Sequence, residues 1–144
     1  MKFRSRKDTL FQVISFGISG IFLGLIIFHL FCSQPFKDDL IGVFILMLLT
    51  ACLLLWVYFD TKYEITVTAL IYKSGPIRGQ IEIERINEIV KGKTLWVGLK
   101  PATARNGLII KYDKYNEVYI SPENNDLLIN ELLKRNNRIK IKSH

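Results

Sequence analysis

Apolar residues dominate two stretches early in the chain, residues 10–31 and 40–59, and neither stretch holds an Asp, Glu, Lys or Arg. Beyond residue 60 the pattern changes to short alternating segments punctuated by turn residues. A run of about twenty residues, rising about 1.5 Å per residue as a helix, crosses a hydrocarbon layer of about 30 Å. Only helices and closed barrels satisfy every backbone amide in lipid, so the two runs predict two transmembrane helices. The segment from Cys32 to Asp39 separates them, long enough to join antiparallel neighbours and too short to fold alone. The expected unit is a helical hairpin over residues 10–59 with both ends on one side of the membrane.

The second half reads as strands. Tyr63-Glu64-Ile65-Thr66-Val67-Thr68 alternates with β-branched enrichment, and residues 69–73 form a second strand before the turn Ser74-Gly75-Pro76. Residues 77–83 continue as a strand, and the spacing of Ile81, Ile83, Ile86 and Ile89 then shifts from two to three, predicting a turn or bulge over 84–87. Residues 95–99 predict a further short strand ended by Pro101, and Asn106-Gly107 predicts a tight turn with positive φ. Residues 108–112 and 117–120 flank 113–116 as a hairpin. A helix follows, with Ser121 as N-cap, Pro122 at the first helical position and Glu123 in the first turn. Leu127, Leu128, Leu132 and Leu133, with Ile129 on the flank, give it an apolar stripe, and Lys134 and Arg135 close its last turn. The tail to His144 is basic and expected to fray, although Ile139 and Ile141 can alternate as an edge strand. The expected class is α+β: a transmembrane hairpin, then a small antiparallel β-barrel or sandwich capped by a C-terminal helix. So small a domain has a limited core and open sheet edges.

Charge orients this picture. Lys2, Arg4, Arg6 and Lys7 precede the first run and Lys62 follows the second, while the linker sets Lys37 against Asp38 and Asp39. The positive-inside rule therefore puts both termini in the cytoplasm. The expected organisation is a basic cytoplasmic tip over 1–9, the hairpin over 10–59, a cytoplasmic domain over 60–136 and a basic tail over 137–144. A cleaved signal peptide fits the first run poorly, because its apolar region is too long and no small-x-small site follows it. Lipidation at Cys32 is disfavoured by the bulky Phe31 before it. The net charge is +7, and residues 60–144 carry fifteen positive against ten negative side chains. Beside an anionic leaflet, each Lys or Arg that reaches the surface adds about 1 kcal/mol of attraction. No recognition helix or aromatic-basic RNA motif accompanies this charge, so nucleic acid is not an expected partner.

Candidate chemistry is sparse. Cys32 and Cys52 sit at different membrane depths and belong to no C-x-x-C pair, which argues against both a disulfide and a metal site. The histidines are His29, near the outer end of the first helix, and His144 at the last position. No nucleophile-base pair, metal cluster or phosphate loop is present, so neither catalysis nor a cofactor is expected. Glu82, Glu84 and Glu88 form the densest acidic group and read as solvated faces. Gly17, Gly20 and Gly24 put small residues on the first helix, with Gly20-x-x-x-Gly24 expected to pack against the second helix; homodimerisation and a partner membrane protein are the alternatives. The candidate binding surface comprises Lys73, Arg78, Lys91 and Lys93 near Gly75 and Gly92, Arg105, and the aromatics Trp96, Tyr115 and Tyr119, read as exposed. Leu95 and Leu99 are assigned to the core.

Several segments together resemble one family: the two-helix N-terminus, Tyr63-Glu64-Ile65-Thr66, residues 70–78 with the isoleucines after them, and Glu117-Val118-Tyr119-Ile120-Ser121-Pro122. They look like the bacterial pleckstrin-homology-like (PH-like) proteins of the YyaB type. The resemblance implies a PH-like barrel or sandwich with a C-terminal helix, tethered to the inner face of the bacterial cell membrane. With no catalytic motif present, the expected function is a non-enzymatic module that binds a protein partner or the anionic leaflet. A bacteriocin immunity protein, as some membrane-anchored bacterial PH-like proteins are, is the alternative, and a membrane-bound enzyme is a disfavoured third. The chain departs from the family before residue 108, where Ala104-Arg105-Asn106-Gly107 stands in place of a Ser-x-Asp-Arg pattern, leaving Arg105 as the nearest substitute for the missing arginine.

Overall fold

The computed structural model describes residues 1–31 and 38–143, in 38–40 the backbone alone. The elements are strand β1 (Lys2–Arg4), helices α1 (Thr9–Phe31) and α2 (Asp38–Asp60), strands β2 (Lys62–Ile65), β3 (Ala69–Ser74) and β4 (Ile77–Glu82), a 3₁₀ turn (Ile83–Arg85), strands β5 (Ile86–Lys91), β6 (Leu108–Tyr112) and β7 (Asn116–Ile120), helix α3 (Asn125–Leu133) and strand β8 (Lys140–Ser143).

The helices α1 and α2 run antiparallel, with Phe11 and Phe16 against Tyr58 at one end and His29 against Phe44 at the other. Both are long and apolar enough to cross a membrane, and only 11% of either apolar stretch is buried. A core helix of a soluble domain hides its apolar side chains; here Val13, Ile21, Phe28, Leu46 and Leu49 are all exposed. Asp38 and Asp39, read as linker, begin α2, while the rest of the expected linker, Cys32 and Lys37 included, lies outside the described residues, as does His144.

The contact between the helices corrects the reading of the glycines. Ser15, Ser19 and Ala51 are the buried small residues, whereas a Cβ added at Gly17, Gly20 or Gly24 would meet nothing within 4 Å. Two residues along a helix rotate a side chain by about 200°, so Gly17 lies opposite Ser15. The Gly20–Gly24 face therefore points away from α2, which the serine face meets instead.

The rest of the chain is a two-sheet sandwich without closure into a barrel. One sheet has the order β1-β2-β3-β4 and the other β7-β6-β5-β8. Every pairing is antiparallel except β5 with β8, which is parallel, so the expected all-antiparallel arrangement holds for seven of the strands and fails at the tail. Alternation sends Tyr63, Ile65, Leu70, Tyr72 and Ile81 from the first sheet into a shared core with Ile86, Ile89, Leu108, Ile110, Val118 and Ile120 from the second. The helix α3 adds Leu128, Ile129 and Leu132 to the same core. The change of isoleucine spacing marks the 3₁₀ turn and the bulge between Ile86 and Glu88, as expected.

Three local expectations fail. Residues 95–99 form an irregular segment with a bend at 97–98, not a strand; Gly98 has a φ of +119°, and a single bridge from Leu99 to Val118 is their sheet contact. Leu95 packs over Ala102, Ile109 and Tyr119 on the outer face of the second sheet, while Leu99 stays 38% exposed. The cap of α3 is Asn124, whose side chain accepts from the Leu127 amide at 3.0 Å, and not Ser121, which is buried elsewhere.

Candidate functional site

The N-terminal tip is part of the sandwich. Lys2-Phe3-Arg4 alternates polar and apolar, and β1 pairs with β2, Phe3 opposite Tyr63, so Phe3 enters the core. The next residue, Ser5, enters a buried hydroxyl cluster, with its Oγ 3.1 Å from Tyr63 Oη, 2.8 Å from Thr103 Oγ1 and 3.0 Å from Ser121 Oγ. Tyr63 Oη donates to the Pro101 carbonyl at 2.8 Å and accepts from the Ser121 amide at 3.0 Å. Burial pushes the Tyr63 phenol above its ordinary value. The cluster joins the tip, β2, the 92–107 loop and the end of β7 at one point.

The last residues before α1 extend this joint. The Asp8 amide donates to the Thr103 carbonyl at 3.2 Å, and the Arg6 guanidinium donates to the carbonyls of Arg105 and Asn106. Arg105 Nε meets the Asp8 carboxylate at 2.8 Å and holds it below its usual value. At the end of α2, Asp60 pairs with Lys73 at 2.7 Å and Lys62 at 3.4 Å, and Thr61 Oγ1 lies 2.8 Å from Ser74 Oγ. Gly75 (φ +55°) turns so close to α2 that a Cβ there would sit 2.9 Å from Val57 Cγ2, a contact glycine alone permits at that φ. Both ends of the hairpin are therefore fastened to the same domain.

A groove of about 300 Å³ opens at this junction. Leu10, Phe11 and Val57 of the helices and Ile77 of β4 form its apolar wall, and Lys100 and Arg105 lie on the loop side. On the outer face of the second sheet, Trp96 and Lys93 line a separate groove of about 520 Å³ with Lys111, Glu117 and Lys142.

The residues singled out from the sequence are thus dispersed. Lys73 and Arg78 face each other across the β3–β4 hairpin in one sheet, while Lys91, paired with Asp126, and Lys93 lie at and just after the end of β5 in the other, so the four do not converge. Trp96 is 86% exposed and Tyr115 85%, the latter at the tip of the β6–β7 hairpin. Tyr119, read as an exposed aromatic, is fully buried: its hydroxyl donates to the Ala104 carbonyl and accepts from the Gly107 amide, both at 2.8 Å. Alternation along β7 decides this, since Val118 faces the central core and Tyr119 the 92–107 loop that covers the other face. Among the described residues no three His, Cys, Asp or Glu side chains gather at metal-binding distance. Ser5 and Thr103 were not singled out from the sequence, and Ser121 only as a helix cap; an isolated serine or threonine gives no signal of a partner a hundred positions away.

Residues 61–136, the part of the chain that builds β2 through α3, match the bacterial PH domain family. The chain belongs to this family. Over 98 residues it is also 34% identical to the uncharacterised protein YyaB of Bacillus subtilis strain 168, covering 67% of each chain. No solved structure gives a significant match. A bacterial PH domain beside two apolar helices is in keeping with a non-catalytic module. In this family member the match begins at the end of α2, so the N-terminal tip and the hairpin stand outside it, although β1 joins its first sheet and Ser5 its hydroxyl cluster.

Proposed function

We propose that this chain is a non-enzymatic binding module held on the cytoplasmic face of a bacterial inner membrane. In this reading α1 and α2 span the membrane, both termini are cytoplasmic, and the PH domain presents its outer surface to a membrane-associated protein partner. The observation that carries the proposal is the double attachment: β1 before the hairpin and β2 after it are neighbouring strands of one sheet. A flexible tether would serve an anchor alone; two fixed connections hold the domain in one orientation toward the membrane, which favours presentation of a defined surface. The basic tip supports the orientation by the positive-inside rule. The surface assigned to the partner is the outer face of the second sheet, where Trp96 and Val97 stand almost wholly exposed above the groove lined by Lys93 and Lys111, with Tyr115 at the neighbouring hairpin tip. Tryptophan and tyrosine are among the side chains that most often dominate protein interfaces.

A photo-crosslinking amino acid at position 96, in the full chain in its native membrane, tests this. The expected result is a discrete protein adduct, absent when the probe stands at Glu123. Adducts to lipid alone, or the same diffuse adducts from both positions, count against it.

A further inference from the structure

We propose that the groove at the base of the hairpin holds one anionic phospholipid of the adjacent leaflet, with its phosphate at Lys100 and an acyl chain along Leu10 and Val57. Leu10 and Phe11 belong to the first turn of α1 and Val57 to the last turn of α2, so the groove opens where a bilayer-spanning hairpin leaves the hydrocarbon. Its apolar wall remains accessible, with Leu10 49% and Ile77 39% exposed, and continues into the exposed flank of the helices.

Charge selects the headgroup. The one carboxylate in the groove, Asp8, is already matched by Arg105. Among the described residues Lys100 has no ion pair, its Nζ lying 5.4 Å from the centre of the Tyr119 ring. Lys7, also without an ion pair among them, stands over the rings of Tyr58 and Phe59 at 4.3 and 5.1 Å, on the same helix ends. The site thus offers uncompensated positive charge above an apolar wall at the depth of the headgroups. An anionic phospholipid complements both parts, whereas an acidic peptide complements only the first. The groove is distinct from the Trp96 surface assigned to a protein partner.

The inference rests on the membrane-spanning reading of the hairpin, and its test is separate from the crosslink at position 96, so either can fail alone. The full chain, released from nanodiscs of equal phosphatidylglycerol and phosphatidylcholine, is weighed by native mass spectrometry. One phosphatidylglycerol is expected to stay bound in preference to phosphatidylcholine. Removing one cation at the surface corresponds to about a fivefold loss, so Lys100→Ala is expected to lower retention by about that factor. Ile77→Trp, which fills the groove, is expected to abolish it, and Lys114→Ala, at the far hairpin tip, to leave it unchanged. Lys100 and Ile77 are exposed, and an unchanged melting temperature separates lipid loss from misfolding. Equal retention of the two lipids, or phosphatidylglycerol retention indifferent to both groove variants, overturns the proposal.

Discussion

At the scale of single residues, Tyr63 ties the junction to the core. Its ring lies in the core opposite Phe3, and its hydroxyl serves the Pro101 carbonyl, the Ser121 amide and Ser5 at once. Tyr63→Phe keeps the ring and leaves a buried carbonyl and amide unpaired, which costs roughly 1–3 kcal/mol. Denaturant unfolding of the full chain in detergent is expected to show that loss, together with faster proteolysis of the N-terminal tip; a variant within about 0.5 kcal/mol of the parent contradicts the role given to the cluster. Legibility divides sharply at this scale. Gly75 and Asn106 were readable as turn residues because the cause, a positive φ, is local, and both adopt it. The place of Ser121 was not: its local sequence, with Pro122 and Glu123 after it, is that of a helix cap, but Ser5, Tyr63 and Thr103 supply its partners and Asn124 caps the helix instead.

At the scale of elements, the length of the two apolar stretches found both long helices, and hydrophobic periodicity with turn residues found the β2–β3–β4 succession, the β6–β7 hairpin and α3. Periodicity missed β1, whose three alternating residues were read for their charge. Alternation at Ile139 and Ile141 offered an edge strand, and β8 forms at the sheet edge there, but its parallel register with β5 was not legible. The opposite error occurred at residues 95–99, where a strand-like composition covers a sheet face as an irregular loop. The end of α3 is fixed by charge. Glu131 meets Lys134 at 2.6 Å and Arg135 at 2.8 Å, and Arg135 also donates to the Thr66 carbonyl at 3.1 Å, tying the helix to the β2–β3 loop. The two cations lower the Glu131 carboxyl from its usual 4.5 to about 2, Arg135 contributing most. A lowered folded-state value contributes stability above the unfolded value and loses it as pH falls through the folded one. Glu131→Gln is therefore expected to melt below the parent at neutral pH, with the gap closing between about pH 4.5 and about pH 2. A gap that is absent at neutral pH, or that persists unchanged in acid, contradicts the assignment.

At the scale of the whole molecule, the two parts that the sequence pattern separates are mechanically one. The hairpin leaves the sandwich through β1 and returns to it through β2, and the Asp60–Lys73 and Asp8–Arg105 pairs lie one at each connection. The PH domain is consequently fixed in orientation relative to the helices, and the grooves beside Trp96 and beside Lys100 keep fixed positions relative to them. The central claim is that this assembly lies with its domain on the cytoplasmic side. Its most direct test uses the full chain with Cys32 and Cys52 replaced by serine and a single cysteine introduced by Lys114→Cys or Glu123→Cys, both at exposed positions. A membrane-impermeant maleimide is expected to label neither cysteine in intact cells and both once the inner membrane is opened; labelling of either in intact cells would contradict the account.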